Sequence, residues 1–202
     1  AVLAVCGGAL RRYLLTHDEL PGPSLVSVAP VSIRNADRTT TSGRGGISML
    51  RVPLGTEIED PVRRLRAVHH HTSSASEIEQ AVGAKELTDI TKHAPAATLA
   101  ISGRLLAESS IGIGQGAPLA SCTITNVPGP AIPLYLNGAR MTYFSAIMPI
   151  ADGMGLVFAV TSYDGKIIIS PTSCHEQIPD PEFFALCIRE SFQEYLQLAS
   201  RR

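Results

Sequence analysis

Residues 154–173 read MGLVFAVTSYDGKIIISPTS, two runs rich in Val, Ile and aromatic residues with only Asp164-Gly165 between them. A two-residue Asp-Gly connection suits a turn that needs positive φ at both central positions, so this stretch predicts a tight β-hairpin. The same strand-like character runs through LASCTITNVPGP and IPLYLNGARMTYFSAIMPI, which makes the part after residue 119 a region of four or five strands. Two more strands precede it. SLVSVAPVSIR, residues 24–34, carries Pro30 and so predicts an edge or a bulge, and ISMLRVPL, residues 47–54, ends near Pro53.

Helical periodicity occupies the rest. Leu3, Cys6, Leu10 and Tyr13 or Leu14 recur at helical spacing over residues 1–15, with Val2, Val5 and Ala9 widening the apolar face. Arg11 and Arg12 are expected in the closing turn, where cations suit the carbonyl end. Asp60-Pro61 and Asp180-Pro181 each give a capping residue followed by the proline preferred in a first turn. The helix after Pro61 should share Val62, Leu65, His69, Thr72 and Ala75 on one face; Pro95 should kink the next helical stretch or break it in two, and GIGQGAP is a turn. The last helix should turn Phe184, Cys187 or Ile188, Phe192, Tyr195 and Leu196 inward. Helix, two strands, helices, four or five strands and a helix predict a layered α+β or mixed α/β fold, a mixed β-sheet covered by helices.

Bulk properties narrow the function. At 202 residues the chain supports one sizeable core or two small ones. Its 45% hydrophobic and 17% charged content argues against disorder and leaves apolar surface for a partner or ligand. A net charge of −1 without a basic stripe excludes nucleic acid as a partner. Cys6, Cys122, Cys174 and Cys187 are far apart and form no C-x-x-C pair, so they read as reduced thiols in a cytoplasmic protein. The opening AVLAVCGGALRRYLL is too short to cross a bilayer and lacks a basic leader and cleavage site; beginning without Met inside an apolar run, it predicts further chain upstream.

RAVHHHTSSAS places three consecutive histidines in the middle of the second helix. Successive helical residues diverge by about 100°, so His69, His70 and His71 point three ways and do not converge on a metal. Shifting an acyltransferase motif of the form His-His-x-x-x-Asp-Gly along them fails: Ser74-Ala75 or Ala75-Ser76 stand where Asp-Gly belongs. His69 should pack partly inward, with His70 and His71 solvated. No Gly-x-Ser-x-Gly elbow and no phosphate-binding Gly-x-x-x-x-Gly-Lys loop occurs. The loop NADRTTTSGRGG, residues 35–46, reads as a solvated connection in preference to one that brings Arg38 and Arg44 to a phosphate. TITNVPGP, residues 123–130, ends a strand in a rigid turn, in which Asn126 can donate and accept and Gly129 permits close approach of a ligand or of another segment. A plain strand terminator explains it equally well.

Three segments carry a family likeness. SCTITNVPGPAIPLYLNGARM, FAVTSYDGKIIISPT and IPDPEFF resemble the C-terminal domain of the bacterial wax ester synthase/diacylglycerol acyltransferase family, and AVLAVCGGALRRYLL, VSVAPVSIR and ISMLRVPLGTEIEDPVRRL extend the likeness over nearly all of residues 1–202. The resemblance implies one half of a chloramphenicol acetyltransferase-like, coenzyme A-dependent acyltransferase fold. It also implies transfer of a fatty acyl group from acyl-coenzyme A, as substrate and not cofactor, to a diacylglycerol or a long-chain alcohol. In that family the general base is the His of a His-His-x-x-x-Asp-Gly motif in an N-terminal half, so no catalytic residue and no metal ligand is assigned to this chain. Gly45-Gly46 stands where the family has a Gly-Asn pair.

By the same resemblance, Asn126 and Gly129, then Ser162, Tyr163 and Asp164, are the candidate tunnel-wall residues. The implied partners are the N-terminal half, acyl-coenzyme A and a lipid hydroxyl acceptor, with peripheral association at the inner membrane or lipid inclusions following from the lipid substrates. A non-catalytic lipid- or partner-binding domain derived from the same fold is the alternative.

Overall fold

The hairpin forms where the Asp-Gly pair places it. Strand β6 (Leu156–Tyr163) pairs antiparallel with β7 (Lys166–Ser173), and Asp164 and Gly165 turn at φ 46° and 74°. The computed structural model describes residues 1–33, 46–82, 120–150 and 153–200. Ahead of the hairpin lie helix α1 (Val2–Thr16), strands β1 (Val26–Ile33) and β2 (Gly46–Pro53), helix α2 (Pro61–Val82), strand β3 (Cys122–Pro128) and the short strands β4 (Tyr135–Leu136) and β5 (Ala139–Arg140); helix α3 (Pro181–Ser200) comes last. The expectations for Arg38, Arg44, Gly45, Pro95 and GIGQGAP lie outside the described residues.

Five strands make one mixed sheet in the order β2-β1-β3-β6-β7, with β1, β3 and β6 parallel and both outer strands antiparallel. The expected mixed sheet covered by helices is the architecture found. Beside it, β4 and β5 form a separate two-stranded ribbon around Asn137-Gly138, which turns at φ 48° and 81°.

Pro30 sits in a strand that has neighbours on both sides, yet it acts as an edge residue. β1 and β3 pair only at Ser27–Cys122 and Val28–Thr123; beyond that point β1 continues against β2 and β3 against β6. The Ser121 N–H donates to the Val26 carbonyl at 2.7 Å, whereas the Leu54 N–H donates to the Leu25 carbonyl at 2.8 Å. Backbone groups alternate sides along a strand, so those of Val26, Val28 and Pro30 face β3. Proline therefore removes a donor on the one side where β3 has already parted from β1.

The core lies between the sheet and the helices. Cys6, Leu10 and Tyr13 of α1 and Phe184, Cys187 and Ile188 of α3 meet Cys122, Ile124, Phe158 and Val160 of the central strands. A second cluster joins Ala4, Leu50, Val52 and Val68. Close approach is built into α1: a Cβ on Gly7 would run into the Leu54 carbonyl, and one on Gly8 into Ser191 and Arg64. Ser191 donates to the Val5 carbonyl at 2.9 Å, so α3 is fastened to α1 by a hydrogen bond as well as by contact.

The details depart from the periodic reading in each of the three helices. α1 runs on to Thr16, which moves Arg11 and Arg12 out of its last turn; Arg11 instead donates to the Thr56 carbonyl at 2.8 Å, and Arg12 meets Glu190 and Glu194 of α3. In α2 the inward positions are Arg64 and Val68, so His69 is exposed together with His70 and His71. Arg64 is only 2% exposed because the turn before α2 offers it carbonyls: its guanidinium donates to Ile58 and Glu59 at 2.9–3.1 Å. In α3, Ser191 takes the buried place expected of Phe192, and Phe192 and Leu196 are exposed.

The two caps differ as well. Asp60 accepts from the Arg63 N–H at 2.6 Å as a capping side chain should. Asp180 gives only its backbone carbonyl to Phe184, because its carboxylate accepts from the Tyr13 hydroxyl and lies 3.4 Å from His17. Burial, and then that hydrogen bond, push the Tyr13 phenol above its ordinary range. Burial likewise pushes the Cys122 thiol up to about 12, as expected of a packed thiol with no reactive role.

Candidate functional site

The motif residues converge where β3 and β6 end side by side. The parallel register sets Asn126 beside Val160, Val127 beside Thr161 and Pro128 beside Ser162. Gly129 then passes so close to the Ser162 carbonyl and the Phe144 ring that any Cβ would collide with both, and its N–H donates to Ser162 Oγ at 3.3 Å. Close approach by another chain segment is thus what Gly129 provides.

Residues 130–150 leave the sheet here and are pinned at their base. The Tyr163 hydroxyl accepts from the Leu134 N–H at 2.7 Å and donates to the Met141 carbonyl at 3.0 Å. Thr161 donates to the Phe144 carbonyl at 2.9 Å, and Lys166 to the Thr142 carbonyl at 3.1 Å. The Asp164 N–H donates to the Pro130 carbonyl, and its carboxylate meets Arg140 at 2.8 Å, which raises the Arg140 pKa. Four of the five candidate residues therefore share one assembly, with Tyr163 buried at 1% exposure and Ser162 and Asp164 partly covered. Asn126 stands apart from these bonds, its side chain exposed.

Beyond its base the segment is open. Ile132, Tyr135, Leu136, Tyr143 and Ile147 are exposed, Leu136 at 80% and Ile147 at 84%, and so are Val127 of β3 and Ile167 of β7. A soluble surface scatters such side chains; several together on one segment mark a place where something binds. Thr161, Phe144, Met141 and Arg140, which fasten the segment, are not residues that the sequence singles out. Asn137-Gly138 between Tyr135-Leu136 and Ala139-Arg140 is the available signal for the ribbon.

The histidines form no such assembly. The His70 and His71 rings lie 5.9 Å apart on the exposed side of α2, and among the described residues no three or more His, Cys, Asp or Glu side chains group as a metal site. No helix of the described residues is long and apolar enough to cross a membrane.

Known structures place this arrangement in a class. The wax ester synthase/diacylglycerol acyltransferase from Marinobacter aquaeolei VT8 superposes with a TM-score of 0.75 at 26% identity, over 98% of this chain and 43% of that one. The profile of the WS/DGAT C-terminal domain matches residues 46–195, and the chain belongs to that family. An O-acyltransferase, WSD, of Acinetobacter baylyi is 30% identical over 95% of this chain and 40% of its own length. A Mycobacterium tuberculosis protein, provisionally named a diacylglycerol O-acyltransferase, is 31% identical over 97% of this chain and 38% of its own. The chain thus spans about two-fifths of the length of these curated relatives.

Proposed function

We propose that this chain is the C-terminal half of an O-acyltransferase that moves a fatty acyl group from acyl-coenzyme A to the hydroxyl of a diacylglycerol or a long-chain alcohol. The observation that carries this reading is the pinned, apolar-tipped segment 130–150, in a chain whose Acinetobacter baylyi and Marinobacter aquaeolei relatives are more than twice as long. Residues 1–202 act as a single domain, and their partner is an N-terminal acyltransferase half. That half supplies the histidine that deprotonates the acceptor hydroxyl; the hydroxyl then attacks the thioester, releasing coenzyme A with no covalent enzyme intermediate. Acyl-coenzyme A is a substrate, and no cofactor is required. The lipid acceptors suit a site at the inner membrane or at lipid inclusions.

Removing a general base costs roughly 10²- to 10⁴-fold in rate, and half a tunnel positions neither substrate. The 202 residues by themselves should therefore give no ester from acyl-coenzyme A with diacylglycerol or hexadecanol. Ester should form once the N-terminal part of the Acinetobacter baylyi relative is added or fused. Ester made by the chain alone would overturn the reading. Tight association with that part but no ester under any acceptor would favour the non-catalytic binding domain, for which the same exposed apolar segment speaks.

A further inference from the structure

The two outer edges of the sheet are built differently. On β7 the two-residue loop Asp164-Gly165 sets Tyr163 and Lys166 in bonding positions, so alternation turns the backbone of Ile167, Ile169 and Pro171 outward. Proline thus stands mid-strand on the outward side, where it withholds an N–H and blocks an incoming strand. On β2 the Leu54 N–H donates to the Leu25 carbonyl, so the backbone of Val52, Leu50 and Ser48 faces β1 while that of Arg51, Met49 and Ile47 turns outward. Proline comes here only at Pro53, the last residue of the strand.

Among the described residues, no strand pairs with the outward side of β2. α2 packs on one face of this strand, through Val68 against Leu50 and Val52. Met49 and Arg51 lie on the opposite face and are exposed, Met49 at 55%. The segment 130–150 is held by Thr161 and Tyr163 of β6 and Lys166 of β7, at the other side of the sheet. An N-terminal half docked on that segment approaches from the side away from β2.

We propose that β2 is a dimerisation edge, pairing antiparallel with β2 of a second copy about a two-fold axis at Met49 and joining the two sheets into one. Symmetry selects this occupant. The outward residues are spaced evenly about Met49, so Met49 meets its own counterpart and Arg51 meets Ile47 of the copy, for about six backbone hydrogen bonds in all. No like charges stand directly opposite, since Arg51 faces an isoleucine and Met49 a methionine. Pro171 closes the outer side of β7, so β2 of one copy cannot add to β7 of the next and run on as a filament; the self-complementary, closed contact is the one left. A strand pair is a small interface, so the dimer dissociates on dilution. The proposal stands independently of the acyl transfer.

The test follows the 202-residue chain through a dilution series by sedimentation and by backbone amide hydrogen exchange. Sedimentation should show monomer and dimer in equilibrium. The amides of Met49 and Arg51 should exchange more slowly as the dimer fills, with those of Ile167 and Ile169 on β7 unchanged. Met49→Pro removes one outward N–H from each copy and leaves the bonds between β1 and β2 in place; it should weaken the dimer by about 10- to 100-fold, the value of two hydrogen bonds. Met49→Lys, at an exposed position that the fold tolerates, sets two ammonium groups face to face and should weaken it by about 2- to 5-fold. A monomer at every concentration, or a dimer whose Met49 and Arg51 amides stay unprotected, would overturn the proposal. So would protection that does not change with concentration, which would mean that the chain covers its own edge, and so would a dimer that both variants leave intact.

Discussion

The helix-packed side of the sheet and the segment that leaves its strand ends use the same kinds of residue to opposite effect. On the helix side, Tyr13, Phe158, Phe184 and Leu54 are buried, glycines bring α1 against its neighbours, and even Arg64 is enclosed with its donors matched to carbonyls. On the strand-end side, hydrogen bonds from Thr161, Tyr163 and Lys166 are spent on the base of residues 130–150, and the aliphatic and aromatic tips stay in water. A fold that only needed to be stable would have no reason to fix the backbone of an exposed apolar segment. Pinning it lowers the ordering cost that a partner would otherwise meet, which is what a preformed interface requires.

Substitutions should separate the two sides sharply. Phe184→Ala, in the cluster shared by α1, α3 and the sheet, removes a fully enclosed ring and should cost about 3–5 kcal/mol in urea unfolding. A loss below 1 kcal/mol would mean that the helices are not held as described. Tyr163→Phe should cost less, about 1–2 kcal/mol, because it deletes the hydroxyl that joins Leu134 to Met141 while the ring stays packed. Its larger effect should be on hydrogen exchange, with faster exchange at Leu134 and Met141 and none at α1; uniform acceleration would break the distinction between base and core.

The elements themselves are largely legible in the sequence because their signals are local. Asp60-Pro61, Asp164-Gly165 and the apolar spacing of residues 1–15 act over one or two turns of chain, and each element forms within a few residues of its expected place. Where the periodic pattern misleads, distant groups decide. A one-position offset brings Val68 inward in place of His69 because Arg64, four residues earlier, is anchored by carbonyls of the preceding turn. Asp180 forgoes its side-chain cap for Tyr13, 167 residues away in sequence.

The site divides the same way. Gly129, Ser162, Tyr163 and Asp164 are recognisable as motif residues, and the structure brings them together through the parallel pairing of β3 and β6. That they fasten a segment, and that β1 and β3 part after two pairs, depends on long-range strand register that no periodicity encodes. Pro30 is the one local sign of it, visible as an edge signal with no indication of which edge.

The exposed tips give the smallest effect on the chain alone and the most informative one on its function. Leu136→Ser combined with Ile147→Ser should change unfolding free energy by less than about 0.5 kcal/mol, since neither side chain is packed. With the N-terminal part of the Acinetobacter baylyi relative titrated against each chain, the concentration giving half-maximal ester formation should rise at least tenfold for this double variant, as expected for interface anchors. The same half-maximal concentration for variant and wild type would contradict the claim that this segment is the surface on which the other half docks.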